Sequence, residues 1–442
     1  MSGNGVTRRE FVKTTGGAAM GLAAWPVLRP TAAQRPPRRY AVVGTGVRGV
    51  GMWGRQVARD FQDAATFVGL CDVNPLRLEA ARRQIGVDCP TFTNLDEMLD
   101  KARPDLLMVT TVDAAHSACV IKALERGIDV ATEKPMVIDE TQCQAVLDAE
   151  RRTGRNIIVT FNYRYAPKHQ KIKELLMAGE IGEISSVDFS WYLDTSHGAD
   201  YFRRWHRLRS QGGSLWVHKA THHFDLINWW LDAEPIAVAA TGRLVTYGSN
   251  GPFRHTSCRG CPHASTCSFY WDMTRNQQLV ELYANAESAD GYLRDGCVFR
   301  ADVDIFDTMN AVVQYSNGVN MSYSLNAFMP FEGYRLAFNG TKGRLEIRDY
   351  ERQPWKVDSP TEIYLTRSFG ERERIEVPQA TGGHGGGDDI LLNLVFRNVD
   401  VPAHLALPGS RAGALSCLTG IAARKSSDQN GQLVKIGDLV RL

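Results

Sequence analysis

Short apolar runs alternate with longer amphipathic segments between residues 40 and 163. The apolar runs have the length and composition of buried strands, and they lie at 40–43, 66–72, 106–111, 128–132 and 157–163. The segments between them predict helices at 49–61, 116–126 and 140–152. Strands that alternate with helices in this order are typical of a parallel, doubly wound sheet. The pattern therefore predicts an α/β fold for this part of the chain.

Three glycines follow the first predicted strand, where the next helix begins. Gly44, Gly46 and Gly49 have the spacing G-x-G-x-x-G, which allows a tight turn, close approach of a pyrophosphate and close helix–strand packing. Phosphate would lie at the N-terminus of the helix, since free N–H groups and the helix dipole favour anions there. Asp72 ends the second strand, where a carboxylate accepts hydrogen bonds from ribose hydroxyls and favours NAD over NADP. Nearby Arg77 leaves NADP as the alternative.

The composition narrows the class of protein. The 442 residues suggest about two or three domains, and the hydrophobic content of 43% is ordinary for a globular protein. A formal charge of +2 without a basic block gives no sign of a nucleic-acid partner. Outside the N-terminal segment no apolar run reaches the roughly 20 residues of a membrane helix. We therefore expect no stable membrane anchor.

The first 33 residues have the composition of an export signal. Arg8 and Arg9 precede a weakly apolar, glycine-containing run, and small residues surround Ala33. These features resemble a twin-arginine signal peptide, which export machinery recognises on folded proteins. The alternative is an amphipathic N-terminal helix with accidental arginines. We expect residues 1–33 to be a signal peptide and the protein to be exported to a periplasmic or extracellular location.

Further motifs follow the glycine turn in a distinctive order. CDVN ends the second strand, EKP (Glu133, Lys134 and Pro135) follows the strand at 128–132, and FNYRY comes later. Together with the glycine turn, this set resembles the Gfo/Idh/MocA family of sugar and cyclitol oxidoreductases. The resemblance is most specific over residues 40–165. It implies a Rossmann domain followed by an α+β domain whose large open, mainly antiparallel sheet faces the nicotinamide.

The resemblance implies catalytic roles for two residues. In the family the lysine of EKP lies beside the nicotinamide and the substrate hydroxyl, and Lys134 stands at that position. A lysine in a desolvated pocket near another cation has a lowered pKa and exchanges protons. The stretch 212–230 is similar to the family pattern G-G-G-x-L-x-D-x-G-x-H-x-x-D. His222 matches its catalytic histidine, while His218 stands where an aspartate is usual.

Three interpretations of the two histidines stay open. If 212–230 is one helix, His218, His222 and Asp225 share a face. His222 then acts as general acid/base with Lys134, or both histidines bind a divalent metal with a carboxylate, or both are core histidines. The predicted cofactor-binding residues are Gly44, Gly46, Arg48, Gly49, Asp72, Glu133 and Lys134. The predicted substrate-binding residues are Arg164, His197, Arg204, Trp205, His218 and Lys219.

Two other segments have a composition that suits a substrate site. Aromatic, acidic and basic residues crowd 191–207, and aromatic faces stack on sugar rings while charged groups bond to hydroxyls. An ordinary polar loop or an oligomer contact would explain this segment equally well. His384 lies in the glycine-rich segment GGHGGGDD, at 382–389. This segment is either a mobile lid or a plain linker.

Nine cysteines are present, and three of them are close together. Cys258, Cys261 and Cys267 have the spacing C-x2-C-x5-C, and Cys297 follows. Four thiolates of this kind would form a tetrahedral structural zinc site, with His263 as a replacement for Cys297. An iron–sulfur cluster would use the same ligands, disulfides are favoured in an exported protein, and free thiols are the remaining alternative. In every case we expect a structural role.

The sequence predicts four parts. They are a signal peptide at 1–33, an NAD-binding Rossmann domain at 38–160, an α+β substrate and oligomerisation domain at 161–380 with a cysteine-rich insertion near 250–300, and a C-terminal helical segment at 381–442 that returns to the Rossmann domain. Because open sheets in the family commonly pair, we also expect a homo-oligomer.

The expected activity follows from the export signal and the resemblance together. Free NAD is scarce outside the cytoplasm, so an exported enzyme needs to keep its cofactor. We expect an oxidoreductase with tightly bound NAD, or NADP, that acts on a hydroxyl of a sugar, glycoside or cyclitol. One alternative is a redox-neutral, NAD-dependent glycosidase that works by oxidation, elimination, hydration and reduction. Another is a non-catalytic sugar-binding module.

Overall fold

The computed structural model describes residues 36–378 and 380–442, so the twin-arginine prediction for Arg8 and Arg9 lies outside the described residues. The first six strands are β1 (Arg38–Val43), β2 (Ala65–Cys71), β3 (Thr91–Phe92), β4 (Leu106–Val109), β5 (Asp129–Thr132) and β6 (Ile157–Val159). They form a parallel sheet in the order β3-β2-β1-β4-β5-β6. In the two central strands, residues 40–43 of β1 and all of β4 are apolar and buried, as is typical of parallel sheets covered on both faces. The predicted doubly wound sheet is confirmed.

Helices connect the strands of this sheet. One of them begins after Asn74, whose Oδ1 accepts hydrogen bonds from Leu76 N and Arg77 N. Two helices end at Gly86 and Gly154 in the left-handed region, which glycine enters without strain. The helical segments are Val47–Val50, Gly51–Gln56 (a π-helical segment), Val57–Asp60, Pro75–Ile85, Leu95–Ala102, Asp113–Leu124 and Glu140–Thr153.

Nine strands form a second sheet. They are β7 (Ile184–Asp194), β8 (Pro235–Arg243), β9 (Thr308–Tyr315), β10 (Asn320–Met329), β11 (Glu332–Gly340), β12 (Gly343–Arg352), β13 (Thr361–Arg367), β14 (Arg372–Ile375) and β15 (Val434–Lys435). Their order is β14-β13-β12-β11-β7-β10-β9-β8-β15, and all neighbours are antiparallel except β7 and β10. Burial alternates along β9, as in a sheet with one solvated face. The predicted second domain with a large, mainly antiparallel sheet is confirmed.

The helix Ser410–Asp428 contacts both sheets. Ser426 Oγ accepts a hydrogen bond from Ala240 N in β8, and Gly413 packs against Val159 in β6. The other helices of this part are Pro167–Met177, His197–Arg203, Arg209–Gly212, Leu215–His218, Ala220–Leu231, Gln277–Leu282, Glu287–Asp290 and Gly387–Arg397. Short 3-10 turns lie at Asn162–Tyr165, Trp205–Arg207, Gly248–Asn250, Met273–Arg275, Ala284–Ala286, Gly383–Gly386, Ala403–Leu405 and Ile436–Asp438. Among the described residues, none of the helices has both the length and the apolar composition to cross a membrane.

The stretch 212–230, for which the sequence predicts one helix, is divided into two. The first helix ends at His218 and the second begins at Ala220. At the junction His222 N donates to Lys219 O, which is one residue closer than the spacing of a regular α-helix. The regular i, i+4 relation that the sequence predicts for His218 and His222 is therefore interrupted.

Residues 244–307 form an insertion between β8 and β9 that reaches the first domain. Asn74 Nδ2 donates a hydrogen bond to Ala286 O, and Gln84 Nε2 donates one to Gln278 O. Both donors belong to the segment that follows β2. The insertion therefore ties the second domain to the edge of the first.

The structural zinc site predicted in this insertion is not supported. The four thiols are free, and they are Cys258, Cys261, Cys267 and Cys297. Arg203 Nη1 donates to Cys258 Sγ at 3.0 Å, and burial raises the pKa of the Cys258 thiol, so both charge and protonation disfavour a metal cation there. His263 stacks on the Phe253 ring instead. Within 36–378 and 380–442, no group of three or more His, Cys, Asp or Glu side chains could hold a metal ion.

A glycine in the helix Ser410–Asp428 tests how closely the helices pack. A Cβ at Gly420 would lie 2.2 Å from Trp216 O, whereas a Cβ at Gly51 would meet nothing within 4 Å. We expect Gly420→Ala to lower the free energy of unfolding by about 2 kcal/mol, because overpacking forces the backbone to shift. The control Gly51→Ala should leave it unchanged or raise it slightly, since alanine favours helix. Urea denaturation measures both, and equal effects would contradict the packing described here.

Candidate active site

A cavity of about 510 Å³ lies between the two domains, and we call it the first cavity. Residues that follow β1, β4 and β5 line it on one side, at the carboxyl ends of these strands. Open parallel sheets bind their ligands at this edge. The opposite wall comes from the second domain, mainly from residues 197–222, with Tyr283, Asp290 and Tyr292 of the insertion.

Two glycines of the turn, Gly44 and Gly49, have no space for a side chain. Gly44 has a φ of +90°, and a Cβ there would lie 2.5 Å from Thr111 N. A Cβ at Gly49 would lie 2.3 Å from Gly44 O, so this residue serves the close packing of the helix. Gly46 lines the first cavity, and the neighbouring Val47 N donates to Tyr283 Oη at 3.0 Å. The turn thus fits the pyrophosphate of a dinucleotide.

The carboxylate of Asp72 lines the cavity at the end of β2, but its acceptor positions are already used. Oδ2 accepts from Thr45 N at 2.8 Å and from Thr45 Oγ1 at 2.9 Å. Oδ1 accepts from Asn74 N and from Arg77 Nη1. Arg77 is also paired with Asp290 of the insertion. Asp72 therefore fixes the shape of the glycine turn, and its charge remains next to the cavity.

Lys134 is partly buried on the wall of the first cavity. Its Nζ donates to His218 O at 3.1 Å. Burial lowers the pKa of Lys134 to about 8, although the charges of Asp113 and Glu133 oppose this shift. An amine with this pKa exchanges protons near neutral pH, which is the property that a general base needs.

A carboxylate–imidazole pair lies next to Lys134. His218 Nδ1 is 2.5 Å from Asp113 Oδ2, and both side chains are buried. Burial raises the pKa of Asp113 well above its usual value and lowers the pKa of His218 well below. Both pKa shifts favour the neutral side chains over a charged carboxylate–imidazolium pair. The carboxylate that the family pattern has at position 218 is thus supplied by Asp113 of the first domain.

His222 lines the same cavity and stacks on Tyr163, with ring centroids 4.4 Å apart. Burial, and then the charge of Lys134, lower the pKa of His222 well below its usual value. The ring is therefore neutral at neutral pH, and its buried Nδ1 has no hydrogen-bond partner among the described residues. Lys134 is consequently the stronger base of the two. The metal interpretation of His218 and His222 has no support, since no group of three or more His, Cys, Asp or Glu side chains in the described part of the chain could hold a metal ion.

Arg48 connects the glycine turn with two other segments. Its Nε donates to Glu133 Oε1 at 2.7 Å, and its Nη1 and Nη2 donate to the carboxylate of Asp388. Trp53 Nε1 donates to the same Glu133 oxygen. His384 Nδ1 lies 3.1 Å from Asp388 Oδ2. The glycine-rich segment 382–389 is therefore anchored to the first domain beside the cavity.

Aromatic and basic side chains of the second domain form the wall opposite the glycine turn. The rings of Trp205 and His206 stack at 3.6 Å, and His206 lies edge-to-face against His218. Arg204 is paired with Asp200. Lys219 is buried with its Nζ 4.7 Å from the centre of the Trp191 ring. This wall offers ring faces for an apolar surface and N–H donors for hydroxyls.

The first cavity brings together most of the residues that the sequence predicts for the site. They are Gly44, Gly46, Arg48, Asp72, Glu133, Lys134, His197, Arg204, Trp205, His218, Lys219 and His222. Arg164 does not line it, because its guanidinium is buried in a bidentate ion pair with Asp225. The prediction of Arg164 as a substrate ligand is therefore not supported by its position. Sequence reasoning missed Asp113, Tyr163 and Tyr283. Asp113 follows β4 and Tyr163 ends the predicted strand at 157–163, so both had a signal in the strand pattern, whereas Tyr283 had none.

Two family models match the chain. Residues 38–161 match GFO_IDH_MocA, described as an oxidoreductase family with an NAD-binding Rossmann fold, and residues 173–436 match the C-terminal alpha/beta domain of that family. The putative oxidoreductase YteT of Bacillus subtilis is 37% identical over 398 residues, which cover 85% of this chain and 93% of that protein. The inositol 2-dehydrogenase/D-chiro-inositol 3-dehydrogenase of Lactiplantibacillus plantarum is 27% identical over 192 residues, which cover 42% of this chain and 52% of that protein.

Solved structures share the fold at low identity. The WlbA dehydrogenase from Bordetella pertussis, in complex with NADH and UDP-GlcNAcA, has a TM-score of 0.62 and 18% identity, and the match covers 90% of this chain and 98% of that chain. The aldose-aldose oxidoreductase from Caulobacter crescentus, complexed with glycerol, has a TM-score of 0.60 and 17% identity, with coverage of 90% and 99%. These likenesses show the arrangement of the two domains.

The environment of Lys134 leads to a prediction for stability. Below pH 8 the buried amine is charged at a cost, so Lys134→Met should raise the free energy of unfolding near neutral pH by about 1–3 kcal/mol. In the unfolded chain the lysine titrates near its ordinary pKa of 10.5. The unfolded state therefore binds more protons between these values, the wild type gains stability as pH rises, and the two proteins converge.

Urea denaturation across this pH range measures the difference. Lys101→Met is the matched control, because Lys101 is exposed and paired only with Glu97 on its own helix. Its difference from the wild type should not change in the same way with pH. A Lys134→Met difference that stays constant or widens as pH rises would contradict the burial of a charged amine.

Proposed function

The chain belongs to the GFO_IDH_MocA oxidoreductase family, and on this basis we propose that it is an exported NAD-dependent enzyme that oxidises a hydroxyl of a sugar, glycoside or cyclitol. The main support for this proposal is that the glycine turn, Lys134 and His222 line one cavity. The inositol dehydrogenase among the relatives and the sugar-nucleotide and aldose enzymes among the structural neighbours support this class of substrate.

The residues of the first cavity fit NAD. Gly44 and Gly46 would take the pyrophosphate, Arg48 would supply positive charge, and Asp72 would stand on the adenosine side. NAD bound there supplies a hydride acceptor, or returns the hydride from its reduced form. We propose NAD rather than NADP, since Arg77 is already paired with Asp72 and Asp290 and is not free for a 2′-phosphate.

The chain's own residues handle the proton of the substrate hydroxyl. Lys134, in its neutral form, accepts this proton, because its lowered pKa makes the free amine available near neutral pH. His222 holds the hydroxyl by a hydrogen bond from or to its neutral ring. The Asp113–His218 pair keeps the Lys134 side chain in place through the bond from Nζ to His218 O. Trp205 and Lys219 bind the rest of the ring.

The insertion supports a tightly held cofactor. Tyr283 contacts the glycine turn through Val47 N, Asp290 holds Arg77, and Asn74 bonds to Ala286 O. These contacts place a part of the second domain over the adenosine side of the cavity. We propose that NAD leaves only when the contacts break, so that the chain carries its cofactor through export as a folded protein. Export itself rests on the sequence around Arg8 and Arg9.

The nine-stranded sheet supports the expectation of a homo-oligomer. Its strands carry exposed apolar side chains, among them Ile236 in β8 and Val312 in β9. Apolar side chains on an open sheet face are commonly covered by a second protein surface. A second copy of this chain is the partner that we propose.

Turnover of the catalytic variants tests the proposed activity. Lys134→Met and His222→Asn should lower the rate constant for reduction of the bound NAD by sugars, glycosides or inositols, measured in a single turnover, by about 10²–10⁴-fold, with the bound NAD(H) per chain unchanged. The wild-type kcat/KM for hydroxyl oxidation should rise through about pH 8, as Lys134 loses its proton. Lys101→Met and His404→Asn lie outside the cavity and are the controls. Full turnover by Lys134→Met would contradict the role proposed for the lysine.

The product of that reaction separates net oxidation from redox-neutral hydrolysis. A stable keto-sugar supports the oxidoreductase proposed here. Release of the aglycone without a net change in the nicotinamide would instead assign the redox-neutral glycosidase.

Cofactor retention has its own test. We expect wild-type protein purified without added cofactor to release close to one NAD(H) per chain on heating. Tyr283→Phe combined with Asp290→Asn should speed release of the native cofactor about tenfold or more, since each change removes a bond between the insertion and the first domain. Asp272→Asn is the matched control, because this carboxylate bonds within the insertion to Thr274 and Arg275. Release that the double variant does not change would overturn retention by the insertion.

A further inference from the structure

A second cavity, of about 480 Å³, adjoins the first. Tyr163, His197 and His384 line both cavities, so these three side chains form the boundary between them. The other walls come from the second domain and the segment before His384 rather than from the glycine turn. The second cavity therefore extends the space for a substrate beyond the predicted reacting position, on the side away from the cofactor residues.

The charges in the second cavity disfavour an acidic ligand. Its charged residues are Lys168, Glu332, Asp349, Glu351 and Arg352. Lys168 Nζ lies 2.5 Å from Asp349 Oδ2 and 3.7 Å from Glu351 Oε1, and Arg352 is paired with Asp194. Both cations are thus already paired, while carboxylate oxygens remain as acceptors. A ligand with several hydroxyl donors and no negative charge suits this lining.

One buried carboxylate in this cavity has an acceptor atom without a donor. Glu332 Oε1 is 2.6 Å from His197 Nδ1, and His197 Nε2 is 2.9 Å from Tyr201 Oη in the first cavity. The Glu332 side chain is 3% exposed, and its Oε2 has no partner among the described residues. An unpaired buried acceptor is costly. A ligand hydroxyl that reached it would remove this cost and would be connected with the first cavity through His197.

We propose that the second cavity is a subsite for a second, neutral sugar ring, so that the substrate is an oligosaccharide rather than a monosaccharide. The reacting ring lies beside Lys134 in the first cavity, and the next ring lies beyond His197, beside Glu332. This inference rests on the proposed function, because it assumes that the first cavity binds the ring that is oxidised.

Matched pairs of substrates test the subsite. Methyl glycosides of glucose, galactose, xylose and N-acetylglucosamine are compared with disaccharides that carry the same ring at the non-reducing end. The rate of reduction of the bound nicotinamide in a single turnover, at low substrate concentration, gives the equivalent of kcat/KM for each substrate. We expect the wild type to prefer the disaccharide of at least one pair by about tenfold or more. Ser359→Trp, which fills the second cavity, should remove this preference and leave the methyl glycoside unchanged.

Lys356→Trp is the matched control for Ser359→Trp. It adds the same side chain to the same connection between β12 and β13, at an exposed position that does not line the cavity. Its substrate preference should equal that of the wild type. If Ser359→Trp lowers kcat/KM for the methyl glycoside and for the disaccharide by the same factor, the second cavity is an entrance to the first. That result would overturn the subsite.

Failure of the subsite can be told apart from failure of the proposed function. Equal kcat/KM for both members of every pair overturns the subsite and leaves the oxidoreductase intact. If no sugar is oxidised, the proposed function fails, and calorimetric binding of the disaccharides still decides the subsite. Binding that Ser359→Trp abolishes and Lys356→Trp retains supports it, whereas no binding, or binding that both variants retain, overturns it.

Discussion

The ion pairs of Arg48 fix three distant parts of the chain at one point. The guanidinium lies between Glu133, which precedes Lys134, and Asp388, which lies 340 residues away in sequence. Partly buried charges are costly unless they are paired with good geometry. The glycine turn, the EKP turn and the C-terminal segment are therefore required to take up fixed positions together, and the shape of the first cavity depends on this arrangement.

Asp113 and His218 come from different domains and meet beside Lys134. Asp113 begins a helix of the first domain, and His218 ends a helix of the second. Their contact lies beside Lys134, whose Nζ donates to His218 O, and burial is the main reason for the lowered pKa of this lysine. The basicity of the lysine is thus a property of the packing between domains. An aspartate at position 218, as in the family pattern, would place the carboxyl group on the second domain instead.

The sequence predicts those parts of the site that follow from strand ends. Gly44, Asp72 and Lys134 each come directly after a parallel strand, and parallel strands bring their carboxyl ends to one edge. Tyr283 has no such signal, because it reaches the glycine turn from 236 residues away through the packing of an insertion. The position of the Arg164 guanidinium has no such signal either. Its sequence neighbours suggest the site, but the guanidinium is paired with the buried Asp225. The cysteine spacing likewise predicts a shared ligand set but not the surroundings of the thiols, because the Arg203 guanidinium that donates to Cys258 Sγ comes from a distant helix.

The wall of the first cavity contains Arg48 from near the start of the described chain, Tyr283 from its middle and His384 from near its end. A ribosome therefore finishes almost the whole polypeptide before this pocket exists. A growing chain has no complete nucleotide site, and a chain that ends before Asp388 leaves the positive charge of Arg48 only half compensated. Occupancy of the pocket by a ligand consequently reports that synthesis has passed Asp388 and that three distant segments of the chain have come together.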